Sequence, residues 1–377
     1  RLQRYIIFLK YVQENRKKYE KMKNLRILLA VMLFALGTES FAEEHVIMVK
    51  EGDANSLLEA IKEANETNAD SLSERLYILI PDGVYDLGEV ANTLITGHNI
   101  SLIGQSMGGT VIRNAPPKEK EGIQTTSTIR NLATGTFLQD LTLHNALDYY
   151  MAGSAGRAVC YQDKGTHSIL NRVRMLSYQD TYYTDNVLGQ SYLLNSEIHG
   201  TVDFICGAGD AYFDHCTIVT ERRNIDGKGR TVIAAPRTAD TDWGYVFEGC
   251  AIYNRVSKFN YARGWHTHPR CAFLNTTLMS PELLYDNRYD SAGMRTVNSD
   301  FFEYHTMDAS GKDITPKSNV VTFTCKEESN TVETIITAKQ ARRYQLKKVF
   351  PEWRPEKKLA QMSRQAERLK KQKWGVR

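Results

Sequence analysis

From about residue 95 to 305 the chain runs as short apolar stretches separated by Gly, Asn and Asp. One pattern recurs in them: a bulky apolar residue, two spacers, a small or apolar residue, one spacer, an aliphatic one. It appears as LQDLTL (Leu138, Leu141, Leu143), LNRVRM (Leu170, Val173, Met175) and LLNSEI (Leu193, Ser196, Ile198). It returns as FDHCTI (Phe213, Cys216, Ile218), FEGCAI (Phe247, Cys250, Ile252) and FLNTTL (Phe273, Thr276, Leu278). The closing positions lie 32, 23, 20, 34 and 26 residues apart. Alternation at the end of each pattern predicts a strand with one face inward. A period of twenty-odd residues without an amphipathic helix in each unit predicts a solenoid, and the Leu/Asn consensus of a leucine-rich repeat is missing. The expected fold is therefore all-β, a right-handed parallel β-helix over residues 43–336. A β-sandwich, with turns every 8–12 residues or so, is the competing reading. Residues 55–66 (SLLEAIKEANET) read as an amphipathic helix capping one end, and residues 337–377 as a helical, basic C-terminal segment.

Composition sharpens this picture. The chain has 377 residues, 42% hydrophobic, 24% charged and 10% aromatic, which suits a large core and excludes a disordered or collagen-like chain. The segment from Met22 carries Lys23 and Arg26, an apolar run over 27–36 and a small-residue site ending at Ala42, the pattern of a secretory signal peptide. Residues 1–21 before it read as translated upstream sequence. The apolar run is too short to span a bilayer. No membrane insertion is expected after cleavage, and the product is expected to be secreted or periplasmic.

Charge changes once the ends are set aside. Of 48 basic and 44 acidic residues, 9 and 3 lie in residues 1–42, and 14 and 3 in residues 339–377. That leaves 25 and 38 in residues 43–338, a net charge of −13. Such a body lacks the electrostatic footprint of a nucleic-acid binder. The basic tail reads as a solvated helix or disordered end, with docking to a polyanion as the lesser alternative. All six cysteines follow residue 42, so disulfides are permitted, with 15 possible pairings. Several of them sit in apolar strand patterns, where a buried free thiol is an equal expectation.

Two segments hold unusual acids: SYQDTYYT, with Gln179 and Asp180, and HGTVDFICGAG, with Asp203. An Asp in so apolar a setting costs free energy unless it is paired, metal-bound or held neutral. The two acids are 23 residues apart, about one coil of the proposed solenoid. Neighbouring coils are about 4.8 Å apart, so outward carboxyls one coil apart face each other. Such a pair splits its protonation, giving one nucleophile and one general acid. Arg263 in YARGW lies 15 residues before Leu278, as Asp203 lies 15 before Ile218, which places both at one point of the repeat. An Arg–carboxylate contact there keeps Asp203 charged and oriented. Trp265 offers an apolar face for a sugar ring, and Phe204 and Tyr182, beside the acids in sequence, are assigned to substrate contact as well. The alternatives are a turn cap at Asp180, a buried ion pair at Asp203 and Arg263, and a core Trp265; their common register favours chemistry.

At these residues the chain resembles the pectin methylesterase family. GTVDFICG is similar to the family's GTVDFIFG, YQDTYY to YQDTLY, YARGW to LGRPW, and GRAVCYQ (156–162) to the QAVAL segment. PDGVYDL and ISLIGQSMGGTVI are similar to its first strands. The resemblance runs from about residue 46 to 300, in the right order and spacing. It implies a parallel β-helix without metal or cofactor, hydrolysing the C6 methyl esters of methylesterified homogalacturonan to carboxylate and methanol as a monomer. It also implies that Asp203 is the nucleophile, Asp180 the general acid and base, Gln179 an oxyanion donor, and Arg263 the residue that orients Asp203. Four positions depart from the family pattern: Arg157 stands for the QAVAL glutamine, as a possible oxyanion donor, Ala262 and Gly264 flank the arginine, Cys206 stands for Phe, and Leu87 for Glu.

Other chemistry is weaker. His266 and His268 are two apart but have no evident third metal ligand. Asp240 and Asp242 lack an EF-hand pattern, and no GxSxG elbow occurs. The rival functions are a β-helix glycoside hydrolase using the same acid pair, and a pectin-binding solenoid that has lost catalysis.

Overall fold

The computed structural model describes residues 45–375, apart from 153–155, 227, 256–257, 267, 295–298 and 326. The expected leader and its upstream stretch, residues 1–42, lie outside the described residues. The LxxLxL-type patterns pair coil on coil as their spacing predicts. Leu138, Leu170, Leu193, Phe213, Phe247 and Phe273 form one parallel ladder. Leu143, Met175, Ile198, Ile218, Ile252 and Leu278 form a second. Every one of these side chains is buried. The rings of Phe213, Phe247 and Phe273 stack at 4.4 Å centroid to centroid.

The two spacers inside the pattern have a physical reason. The residue before its central position adopts a left-handed backbone: Asp140, Arg172, Asn195, His215, Gly249 and Asn275 all have φ between 49° and 62°. This bends the chain at one corner of each coil, so both flanking apolar positions point inward. Asn and Gly tolerate the conformation best, whereas the other side chains hold it through the surrounding packing.

The strands form a 17-stranded sheet and an eight-stranded sheet, both built from parallel pairs. The eight-stranded sheet carries the site and comprises β1 (Thr93–Ile95), β2 (Ile129–Asn131), β3 (Tyr161–Asp163) and β4 (Tyr182–Thr184). It continues with β5 (Val202–Gly207), β6 (Thr231–Pro236), β7 (Phe259–Trp265) and β8 (Asp290–Met294). This is a parallel β-helix, and the sandwich reading falls because parallel coil-on-coil pairing runs through both sheets.

The helix Ala54–Thr67 covers one end, burying Leu57, Ala60, Ile61 and Ala64, with Asp53 accepting from the Ser56 amide as N-cap. Near the other end an antiparallel hairpin, Val320–Cys325 with Glu328–Glu333, adds Phe323 to the core edge-on to Phe301. This hairpin had no sequence signal of its own. The expected C-terminal helix is present, and the expectation that this segment is wholly solvated or disordered is corrected. The helix Pro355–Trp374 buries Leu359, Met362, Ala366 and Leu369 in a cluster with Tyr77, Ile103, Phe137, Ile169 and Tyr192. Its apolar residues recur every three or four positions, so a mostly polar sequence still presents one continuous apolar stripe. Cys160, Cys206, Cys216, Cys250 and Cys271 are buried free thiols. No helix among the described residues is long and apolar enough to cross a membrane.

Candidate active site

Strands β4 and β5 set the two acids side by side. Tyr182 pairs with Ile205, an offset of 23, and the same offset carried back two residues puts Asp180 level with Asp203. Both acids have a left-handed backbone, φ 61° and 51°, so each sits on an equivalent bend of successive coils. Both are only 4% exposed. The loop into β5 is tight: a Cβ at Gly200 would lie 2.1 Å from Cβ of Phe204, and one at Gly207 would lie 1.8 Å from the Thr184 carbonyl oxygen. Glycine at both positions is what lets this coil pass its neighbours.

Arg263, on β7, reaches Asp203 with two donors. Nε donates to Oδ1 at 2.8 Å, and Nη2 donates to Oδ2. Asp180 has no such clamp. Its Oδ1 accepts from the Cys206 thiol at 3.7 Å, and its Oδ2 lies 3.9 Å from Nε of Arg157. Burial raises the pKa of both acids, but the directions differ in strength. Asp180 is pushed well above the ordinary carboxylate range by burial and then by the charge of Asp203. At Asp203 the hydrogen bonds and charge of Arg263 oppose the effect of burial. The arrangement therefore favours a proton on Asp180 and makes Asp203 the easier of the two to ionise. Cys206, itself pushed well up by burial, stays a neutral thiol and hydrogen-bond donor. Beyond Arg263 the row of charges continues with its strand partner Asp290, which Arg230 binds at 2.7 Å.

Gln179 and Arg157 lie level on the preceding coils, joined by a bridge in which the Ala158 amide donates to the Gln179 carbonyl at 2.9 Å. The Arg157 side chain is 41% exposed, and its backbone amide and guanidinium both donate to Glu121. Trp265 is half-buried, with Tyr183 6.2 Å away and the Arg237 guanidinium over its ring at 5.3 Å. Arg237 is held by Asp185, whose carboxylate also accepts from Gln124, Gln162 and Lys164.

Two expected substrate contacts are corrected. Phe204 and Tyr182 are wholly buried in the interior cluster, Tyr182 between Tyr161 and Phe213. Each follows a bend that turns the next side chains inward, so neither faces the outer surface. Tyr183, one position after Tyr182, and Cys206, two after Phe204, lie instead in the small cluster with Val159, Ala235 and Trp265. Alternation from the buried Tyr182 and Ile205 was the signal for both. The stack of Tyr149 on Tyr178 at 4.7 Å, next to Gln179, had none. His266 is exposed and His268 contacts Asp300 at 3.0 Å, and no group of three metal-binding side chains occurs among the described residues.

Fold and site together define a class: a parallel β-helix bearing a buried carboxyl pair, one member locked to arginine, on the outer face of one sheet. The family follows from comparison. A family profile described as pectinesterase matches residues 45–340, and the chain belongs to that family. A probable pectinesterase/pectinesterase inhibitor of Arabidopsis thaliana is 26% identical over 300 residues, covering 70% of this chain and 48% of its own length. Another Arabidopsis thaliana relative, a probable pectinesterase, is 31% identical over 182 residues, covering 48% of this chain and 35% of its own. The chain thus spans less than half the length of both relatives. A pectin methylesterase solved in complex with a hexasaccharide superposes with TM-score 0.61 at 25% identity, over 78% of this chain and 93% of its own. The pectin methylesterase of Erwinia chrysanthemi, at 24% identity and TM-score 0.62 over 78% and 93%, shares the fold.

Proposed function

We propose that this protein hydrolyses the C6 methyl esters of pectin, with Asp203 as nucleophile and Asp180 as acid and base. The ionised Asp203 oxygen attacks the ester carbonyl carbon. The bond to the methoxy oxygen breaks, and Asp180 gives its proton to the departing methanol. Asp180, now ionised, takes a proton from water as the water oxygen attacks the acyl-enzyme, which frees the carboxylate product and regenerates Asp203. The Gln179 amide and the Arg157 guanidinium, level on the preceding coils, supply hydrogen bonds to the oxyanion. Arg263 orients Asp203, and Trp265 offers its half-buried face to a sugar ring. The carrying observation is that two buried carboxyls occupy the same bend of successive coils while only one is clamped by a guanidinium. The leader pattern over residues 22–42 supports work outside the cytoplasm. The helix 54–67, packed over one end of the coil stack, supports a monomer, since a helix-covered end offers no strand for pairing.

Methanol release from highly esterified pectin tests the reading, with Asp180→Ala and Asp203→Ala beside the wild type and reducing ends counted in parallel. Methanol without new reducing ends, lost in both variants, is expected. Equal activity of all three proteins refutes the mechanism.

A further inference from the structure

The helix Pro355–Trp374 has a second face that the catalytic reading leaves unused. Its inner face is anchored in the apolar cluster on the large sheet. The buried Lys370 donates to Asp140 at 2.7 Å, and Glu367 accepts from Arg172 at 2.9 Å. Charges on the outer face are therefore fixed in space. Lys357, Arg364, Arg368 and Lys371, at spacings of 7, 4 and 3, fall on that outer face and are exposed. At 1.5 Å per residue they form a row about 21 Å long. Among the described residues Lys357, Arg364 and Lys371 have no carboxylate within ion-pair distance; the segment's pairs run through Arg354, Glu367 and Lys370.

We propose that this row is a second binding surface, and that its partner is a polyanionic polysaccharide, the de-esterified galacturonan. The inference rests on the pectin reading above. Each ester hydrolysed turns a neutral sugar of the polymer into a carboxylate, so the product gains charge with every turnover. Residues 43–338, at net −13, repel such a chain, while residues 339–377 carry 14 basic and 3 acidic residues. That contrast steers an anionic polymer to the helix. The row lies over the 17-stranded sheet, and the acid pair lies on the eight-stranded one. A stretch of product can thus stay bound while the acid pair takes the next ester. Holding one polymer at two places raises the effective concentration of remaining esters at the acids.

The test is binding of the full chain to unesterified polygalacturonate over a range of salt, beside a variant with Lys357→Gln, Arg364→Gln, Arg368→Gln and Lys371→Gln. The wild type is expected to bind with affinity falling steeply as salt rises. The variant should bind at least tenfold more weakly at low salt, with a log–log slope shallower by roughly 3. Both should release methanol at the same rate from a short esterified oligogalacturonide, which also reports that the variant is folded. Equal affinity and slope for the two proteins overturn the proposal, as does a wild type that ignores polygalacturonate. Tighter binding of a nucleic acid than of polygalacturonate overturns the choice of partner. Should the two proteins differ in binding while neither releases methanol, the catalytic reading fails and the binding surface stands.

Discussion

Replacing Arg263 with Met keeps the aliphatic stem and removes both donors to Asp203. The bonds lost are Nε to Oδ1 at 2.8 Å and Nη2 to Oδ2. At about 1.5–3 kcal/mol for each hydrogen bond to a charged group, the ionised carboxylate loses about 3–6 kcal/mol. At 1.36 kcal/mol per pKa unit this is a rise of about 2–4 units. The Arg263 side chain is 23% exposed, so water enters the space it leaves, and the lower end, about 2 units, is the expected figure. Asp203 must be ionised to attack. The acid limb of kcat/KM for methanol release should therefore move up by about 2 units, a hundredfold loss well below the limb that is recovered as pH rises. A pH profile by coupled methanol assay reads this directly. An acid limb within half a unit of the wild type refutes the claim that Arg263 keeps Asp203 charged, even if the rate falls at every pH.

The same electrostatics has a signature in stability. Asp180 is raised by burial and by Asp203, so the folded protein keeps a proton that the unfolded chain loses above about pH 4. Its stabilising contribution is complete below that pH and is lost as pH rises towards the folded-state pKa. Asp180→Asn should abolish catalysis by about 10²–10⁴-fold, yet its Tm should gain on the wild type steadily from pH 4 to pH 7; a Tm difference independent of pH refutes the shift. In the core, Phe247 stacks between Phe213 and Phe273 at 4.4 Å, so Phe247→Ala should cost about 3–5 kcal/mol in urea unfolding, and a loss under 1 kcal/mol would show the ladder to be dispensable.

The repeat was legible because a solenoid writes its register into the chain. Leu138, Leu170 and Leu193 occupy one ladder because each coil must offer the same side chain to its neighbour, and spacing alone reveals that. The acid pair was legible for the same reason, since 23 residues is the offset between β4 and β5. The inward turn of Tyr182 and Phe204 was not. It depends on left-handed backbones at Asp180 and Asp203, which are uncommon for non-glycine residues and break the simple alternation from which the direction of a side chain is read.

Local spacing and residue chemistry thus determined the coil, the ladders and the pairing of Asp180 with Asp203. These depend on neighbours one repeat away, whose separation the chain carries in its own numbering. Tertiary structure alone decided that Cys206 faces Asp180, that Arg237 lies over Trp265, and that the charged helix 355–374 buries one side against the large sheet. Only the helix contact joins segments whose sequence distance follows no period; Asp180 with Cys206 and Arg237 with Trp265 sit on adjacent coils, where the direction of each side chain and not the spacing makes the contact. Only closure of the coils, and the apolar surface left uncovered once they close, selects them.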